Sequence, residues 1–598
     1  MAMKFLKINP LLEKYLPNVF VLYFLILMMW SWAEGDYFFA FLNKPGLDIW
    51  SCLVLFSLLG VNKRYWHWVI LGLAGVGYLL YAINVEKILI LKLPLTILDI
   101  KIFLKNPQGL FNALGFDSSI YIASITLLTI LMSYFLYILI TSRLKTTVIY
   151  LLRGFFQLSL FFICMALFTI PFNIYGKHLT ALYVSRPFNI FFTSKDQSPK
   201  MDILSQLAYL NSIFSLSQNQ KSKNNKNSQM IPDKNIDEIN SQYMVPMRKL
   251  SSLKPNIVFI LAESTFDPNK VFHLNRADTS VLFQAKNNAQ RVNLLNVTPI
   301  GGGTDISEFE TNTGIDTRYF PFFGYYVSQF LAPNLKFSFA KYLGQKGYSS
   351  EAFCPTDGAF VNSRASYEAF GFQNFLDVNQ LNLTKYWSIF SDEKMIDAVL
   401  PYMDKAKPPF FDYIVFLENH SPHRCVHFAD HTQYKNSFKA HAIDADNCSL
   451  NEYLRREAGT TRAYNKVLKH LQDISRQTNR PFVLVIFGDH QPSTFVLPQY
   501  DQYRTELSKK YTFTKIVSNL PFPLQLGDKA SFHATLLPTI VSAYLTNSPS
   551  DLYMPENLYL WSQCNDTADL TKCAIFNSMG VVYQKYLTNA GLVYTQHT

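Results

Sequence analysis

The sequence predicts two folds in one chain: an α-helical membrane domain of five transmembrane helices, then an α/β domain whose mostly parallel central sheet carries helices on both faces. Three observations lead there. Apolar residues crowd into the first 172 positions, where successive windows approach the ~20 apolar residues a bilayer requires. From Asn256 onward, short apolar strands alternate with amphipathic helices. Three of those strands run directly into polar residues able to bind a metal or a phosphate.

At 598 residues the chain exceeds one ordinary domain. Hydrophobic residues make up 49% and charged residues 16%, against the ~25% charged of soluble domains. The apolar excess is therefore local. The net charge of +11 suits anionic lipid headgroups as well as nucleic acid, but no nucleic-acid motif accompanies it, so no nucleic-acid partner is expected. No obligate protein partner is inferred either.

The apolar runs cover residues 17–33, 46–61, 66–83, 119–141 and 150–172, so domain one spans 1–172. An odd number of crossings puts its two ends on opposite sides. Lys4, Lys7 and Lys14, then Lys63 with Arg64, then Arg143 with Lys145 all fall on one face if the amino terminus is cytoplasmic. Everything after Phe172 then faces outward. The first run is long and lacks a small-residue cleavage site, so it reads as an anchor and not a cleaved signal. Residues 85–116, with Lys87, Lys92, Lys101 and Lys105 among apolar residues, read as interfacial helices along the membrane.

Residues 173–255 read as a linker, and 217–228 (SQNQKSKNNKNS) as disordered, because so polar a stretch cannot bury a core. Residues 256–546 are the α/β domain, and 547–598 a carboxyl-terminal extension packed on it. If this part is exported, Cys425 with Cys448 and Cys564 with Cys573 are the expected disulfides, leaving Cys354 odd.

The chemistry collects at strand ends. Residues 257–262 lead into Glu263, residues 413–417 into Glu418, Asn419 and His420, and residues 483–487 into Gly488, Asp489 and His490. Ligands of open α/β sheets sit outside the carboxyl ends of parallel strands, so these segments should converge. One Asp-His pair after a strand is more often a turn. Three coinciding strand ends reverse that preference. A fourth segment, Gly301, Gly302, Gly303 and Thr304, opens a helix with Asp305 and Glu308 at capping-box spacing. Thr304 at a helix amino terminus is a candidate nucleophile, since the dipole and free amides stabilise a phosphorylated side chain. Its bland alternative is a simple helix cap.

Taken together, the order Glu, Thr, His, Asp-His resembles the alkaline phosphatase and sulfatase superfamily, in the branch of lipoteichoic acid synthase and the Gram-negative phosphoglycerol and phosphoethanolamine transferases. The resemblance extends to the five-helix anchor and to the outward segment 93–99. It implies a sulfatase-like catalytic domain on the periplasmic side of a bacterial inner membrane. It also implies that Glu263, Thr304, Asp489 and His490 hold one divalent ion, Zn or Mn, with Thr304 as nucleophile. His420, within Asn419-His420-Ser421-Pro422, would touch the transferred phosphate or protonate a leaving oxygen.

Residues 353–372 resemble the family's substrate-pocket stretch, with Asp357 and Arg364 as binding residues, but Cys354 stands where relatives usually carry His and Arg364 is displaced by one position. His423 and His533 are further substrate-binding candidates. His423, Cys425, His427 and His431 could alternatively build a separate zinc site, though a surface loop with a disulfide is favoured. Ser264 and Thr265 are rival nucleophiles lacking Thr304's amide cradle.

The implied activity transfers phosphoglycerol or phosphoethanolamine from phosphatidylglycerol or phosphatidylethanolamine, through a phosphothreonine, to an envelope glycan or a lipid A core acceptor. The alternatives are a membrane-tethered phosphodiesterase or sulfatase-like hydrolase, and a non-catalytic envelope sensor that retains the fold.

Overall fold

The structure, a computed structural model, describes residues 233–588 apart from 246–253, 276–279, 321–322, 384–389, 424–436, 440–443, 528–530, 565–572 and 574. The five expected membrane helices, the interfacial segment and the 217–228 stretch lie outside the described residues, as do Cys425, His427 and His431. Among the described residues no helix is long and apolar enough to cross a membrane.

The strands are β1 (Asn256–Ala262), β2 (Gln290–Asn296), β3 (Ser349–Phe353), β4 (Asn374–Leu376), β5 (Phe410–Phe416), β6 (Phe482–Gly488), β7 (Tyr511–Ser518) and β8 (Ser531–His533). They form one sheet in the order β4-β3-β5-β1-β6-β7-β2-β8. Only β7 runs against its neighbours, so the sheet is mixed and mostly parallel. The longer helices are α1 (Asp233–Tyr243), α2 (Thr304–Thr313), α3 (Phe339–Gln345), α4 (Ser363–Phe370), α5 (Asp392–Lys405), α6 (Asp444–Thr478), α7 (Leu537–Ser542), α8 (Pro555–Cys564) and α9 (Phe576–Gln584).

The three strands singled out by their polar ends are adjacent at the sheet's centre. Ala262 closes β1 level with Phe416 of β5 and Gly488 of β6, so the residues that follow leave the sheet side by side. All of β1 is buried, which is why it reads as a continuous apolar run and not as alternation. On one face Val258 and Ile260 pack with Met395, Ile396 and Val399 of α5 and Ala463, Val467 and Leu471 of α6. On the other, the Phe259 ring lies 5.8 Å from Phe339 of α3 and 5.5 Å from Phe411. Each such side chain, fully buried, contributes about 1.5–3 kcal/mol.

Helix α5 starts where Ser391 accepts from the Lys394 amide and Asp392 and Glu393 fill the first turn, a favourable cap and charge placement. The carboxyl-terminal part packs onto α2. Tyr553 donates its hydroxyl to the Thr313 carbonyl at 2.6 Å, and Asn557 of α8 donates to the Gly314 carbonyl at 2.8 Å.

Residues 233–243, inside the stretch expected to be linker, instead form α1, which buries Ile236 and Asn240 and donates from Asn240 Nδ2 to the Pro555 carbonyl at 2.8 Å. Two buried positions one turn apart make too narrow a stripe to stand out in a polar sequence. Cys564 and Cys573 are bonded to each other, Cys448 is disulfide-bonded, and among the described residues Cys354 is a free, buried thiol.

Candidate metal centre

Glu263, Asp489 and His490 come together at the carboxyl ends of β1 and β6, with one ligand atom from each lying within 4.8 Å of the others. The backbone makes this convergence possible at two points. Gly488 is one, since a Cβ there would meet the Thr265 carbonyl at 1.9 Å. Ser264 is the other: its left-handed conformation (φ 55°) turns its amide to donate to Asp489 Oδ1 at 2.7 Å.

The His490 amide donates to the same Oδ1 at 2.8 Å, so that oxygen is satisfied twice. Asp489 Oδ2 is buried and has no hydrogen-bond partner. It faces His490 Nε2 at 3.2 Å. Because His490 Nδ1 lies 2.9 Å from the Gln491 carbonyl, which can only accept, the ring proton sits on Nδ1 and Nε2 presents a lone pair. Two bare acceptors and the Glu263 carboxylate thus share one small space. A divalent cation resolves that clash, and two carboxylates with one imidazole suit Zn or Mn alike. Burial, then the nearby Asp489 and Glu308, push the Glu263 carboxyl well above its ordinary value in the absence of a cation.

Thr304 is the first residue of α2, and its Oγ1 lies 3.4 Å from His490 Nε2 and hydrogen-bonds Glu263. One alternative falls away and one expectation is corrected here. The helix cap is Gly303, at φ 99°, with no side-chain cap bond, so Thr304 is not a simple cap. Nor do Asp305 and Glu308 form a capping box: Glu308 is buried and accepts from the Tyr367 hydroxyl at 2.8 Å. Burial raises Glu308 to about 8 and Asp305 to about 6.

His420 joins this group, with Nε2 3.3 Å from Glu263 Oε1. Burial, then His490, lower its pKa to about 3, so the ring is neutral. Ser264 and Thr265 are both buried, and the Thr265 hydroxyl donates to the Glu263 carbonyl at 3.1 Å while accepting from Asn419 Nδ2 at 3.1 Å.

The remaining candidates make their contacts elsewhere. Asp357 accepts from the Ala359 amide at 2.9 Å, and Arg364 pairs with Asp377 at 2.7 Å. His423 is buried in an aromatic cluster, stacked on Phe495 with ring centroids 5.6 Å apart. His533 lies in a second group with Glu310 and Asp316. Most of that group is already paired, although Glu310 Oε2 is buried without a hydrogen-bond partner. Arg318 grips both Asp316 oxygens at 2.7–3.1 Å, and Glu310 Oε1 accepts from Thr298 and twice from Thr317. The Thr535 amide donates to His533 Nδ1, which leaves the ring proton on Nε2, 3.2 Å from Thr298 Oγ1. A protonated Nε2 cannot ligate a metal, so the geometry reads as a hydrogen-bonded network in which Thr298 links Glu310 of α2 to His533 at the end of β8.

Sequence reasoning did not reach the Ser264 amide or the Gln491 carbonyl, which set the orientation of Asp489 and His490. Both are backbone groups, and side-chain types carry no signal for them.

Residues 255–541 match the sulfatase family model. A Rhizobium meliloti protein named for cyclic beta-1,2-glucan modification is 28% identical over 242 residues, covering 40% of this chain and 36% of that protein's length. The chain therefore aligns with well under two thirds of this curated relative. Among solved structures, Streptococcus pyogenes phosphoglycerol transferase GacH, in complex with sn-glycerol-1-phosphate, is 18% identical with a TM-score of 0.42, covering 64% of this chain and 94% of its own. The Neisseria meningitidis lipooligosaccharide phosphoethanolamine transferase EptA is 13% identical with a TM-score of 0.37, covering 69% and 73%. The sulfatase family model thus covers just under half of the chain.

Proposed function

We infer that this domain is a metal-dependent phosphotransferase that moves a phospho-headgroup, phosphoglycerol or phosphoethanolamine, from a membrane phospholipid through a phosphothreonine at Thr304. One observation carries the reading: the Thr304 hydroxyl stands at a helix amino terminus against Glu263 and His490 Nε2, which cluster with the unpartnered Asp489 Oδ2 into a donor set that suits a divalent cation. Glu263, Asp489, His490 and Thr304 would hold that ion. A bound divalent ion lowers the pKa of a coordinated hydroxyl and polarises a phosphoryl oxygen.

Thr304 Oγ1 gives up its proton and forms a new O–P bond as the P–O bond to diacylglycerol breaks, and the departing alkoxide takes up a proton. An acceptor hydroxyl then gives up its proton and attacks, the Thr304 O–P bond breaks, and the departing Thr304 oxygen takes up a proton to regenerate the hydroxyl. His420, kept neutral by burial, is suited to donate a hydrogen bond to a phosphoryl oxygen and poorly suited to release a proton. The acceptor is an outward-facing envelope glycan or lipid A core. The five apolar runs would place the enzyme beside its lipid donor in a bacterial inner membrane, where anchoring raises the effective donor concentration.

The test incubates the full chain in vesicles with radiolabelled phosphatidylglycerol or phosphatidylethanolamine. Diacylglycerol release from one of them, with label trapped on the Thr304 peptide, is the expected result. Release of free headgroup phosphate with no label ever on Thr304 would overturn the transferase in favour of a hydrolase.

A further inference from the structure

We propose that Arg456 is a positioning residue: from the middle of α6 its guanidinium grips the two carbonyls that flank the turn of the His420 loop and so fixes His420 against Glu263. The proposal rests on the reading of His420 as part of the reacting centre. Arg456 is 4% exposed, and each of its nitrogens is committed. Nε donates to Glu452 Oε1 at 2.6 Å, Nη1 to the His420 carbonyl at 2.8 Å and Nη2 to the Pro422 carbonyl at 3.2 Å.

Glu452, fully buried one turn earlier on the same helix, holds the fork in place and is itself held from the other side by Arg455 at 2.8 and 2.9 Å. Although burial pushes its carboxyl up, the two guanidiniums keep Glu452 below the ordinary carboxylate value.

The rest of the loop is pinned on both sides of the gripped carbonyls. The Leu417 and Glu418 amides donate to Asp392 Oδ1 at 2.8 and 3.1 Å, and the His423 amide donates to Thr494 Oγ1 at 3.3 Å. Between those anchors the cross-contacts include Asn419 with Thr265, the Arg456 fork, and His420 Nε2 with Glu263 Oε1 at 3.3 Å. Removing the guanidinium would strand two inward-facing carbonyls at the His420 turn, and the loop must move to find new donors. A lysine cannot substitute, because one ammonium does not span two carbonyls and a carboxylate in a plane. In sequence, Glu452 and Arg456 are an unremarkable helical i,i+4 pair, of the kind usually found on a solvated face.

The experiment compares the full chain with R456K, R456Q and R456G. Turnover of the lipid donor, divalent-metal affinity and amide hydrogen exchange over residues 417–423 are measured in parallel. Displacement of His420 by about 1 Å predicts a kcat loss of roughly 100-fold in R456Q with KM nearly constant. Metal affinity and exchange at Asp489 and His490 should stay unchanged while exchange over 417–423 accelerates at least severalfold. R456K should recover little of the loss, and millimolar guanidinium should partly rescue R456G. Parent-like kcat in R456Q, or parent-like exchange over 417–423, overturns the proposal. If the parent chain turns over neither lipid donor, the transferase reading fails by itself, and the exchange comparison still decides whether Arg456 holds the loop.

Discussion

Asp489 Oδ2 and His490 Nε2 of the neutral ring face each other at 3.2 Å, both as acceptors, because the Ser264 and His490 amides saturate Asp489 Oδ1 and His490 Nδ1–H donates to the Gln491 carbonyl. A buried acceptor pair of this kind costs stability unless a cation lies between. Neighbouring residues in the chain thus store, in the metal-free fold, part of the drive to bind an ion.

Asp489→Asn tests this directly. The amide keeps Oδ1 for the two backbone donors but replaces the bare oxygen with an NH₂ that can donate to His490 Nε2. The metal-free variant should therefore be more stable than the metal-free parent by about 1 kcal/mol. Saturating metal at 100 times Kd should stabilise the parent by about 2.7 kcal/mol and leave the variant unmoved. Urea unfolding of both proteins with and without chelator reads the outcome, and a variant less stable than the parent without metal would contradict it.

Thr304→Ala should lower transfer by a factor on the order of 10⁴ or more, as expected for loss of a nucleophile. Its stability should change by no more than about 1 kcal/mol, since the hydroxyl's hydrogen bond to Glu263 is lost while no cap bond is and Ala is the better helix former by up to roughly 0.7 kcal/mol. Single-turnover assays with thermal melts separate the two effects. Near-normal transfer by the variant would move the nucleophile to Ser264 or Thr265.

Stability should fall as pH rises from about 4.5 to about 8 through Glu418 and, alongside it, Glu308, with Asp392 adding to the fall only up to about 6. Burial, followed by the Asp392 charge, raises Glu418 to about 8, and burial raises Asp392 to about 6. Both folded values lie above the unfolded ones, so the folded state binds more protons in this window. Their contribution is complete below the ordinary carboxyl range and is lost as pH climbs through the folded values. Glu418→Gln keeps an acceptor for the Asp392 amide, which Glu418 Oε2 binds at 3.0 Å, and should flatten the upper part of the profile. Urea midpoints taken across that pH range provide the check.

Peptide mapping without reduction should recover Cys564 and Cys573 in one linked species. Closing so short a loop constrains the unfolded chain modestly, so replacing both cysteines by Ser should cost about 2–3 kcal/mol. Recovery of both as alkylated thiols would refute the bond.

Reporter fusions after Lys145 and after Phe172 should report opposite compartments, with the second outside. Agreement between them would sink the proposed topology, which rests on the basic flanks at Lys63, Arg64, Arg143 and Lys145.

The sequence by itself determined that β1, β5 and β6 are buried strands and that Glu263, His420, Asp489 and His490 follow them, because strands covered on both faces must be continuously apolar and their polar ends stand out. It also placed Thr304 at a helix start, through the three glycines before it. Only the tertiary structure decided which oxygen of Asp489 is bare, which nitrogen of His490 carries the proton, and that Glu308 turns to Tyr367 and away from the helix end. It likewise separated His533 from the centre by giving it Thr298 and Thr535 as partners, and it brought Arg456 from α6 to the back of the His420 loop. The physical reason is common to these cases. Residue type and spacing along one strand or helix are local, whereas the hydrogen bonds that fix a proton or strand an acceptor come from backbone groups and side chains distant in the chain, and no local pattern records them.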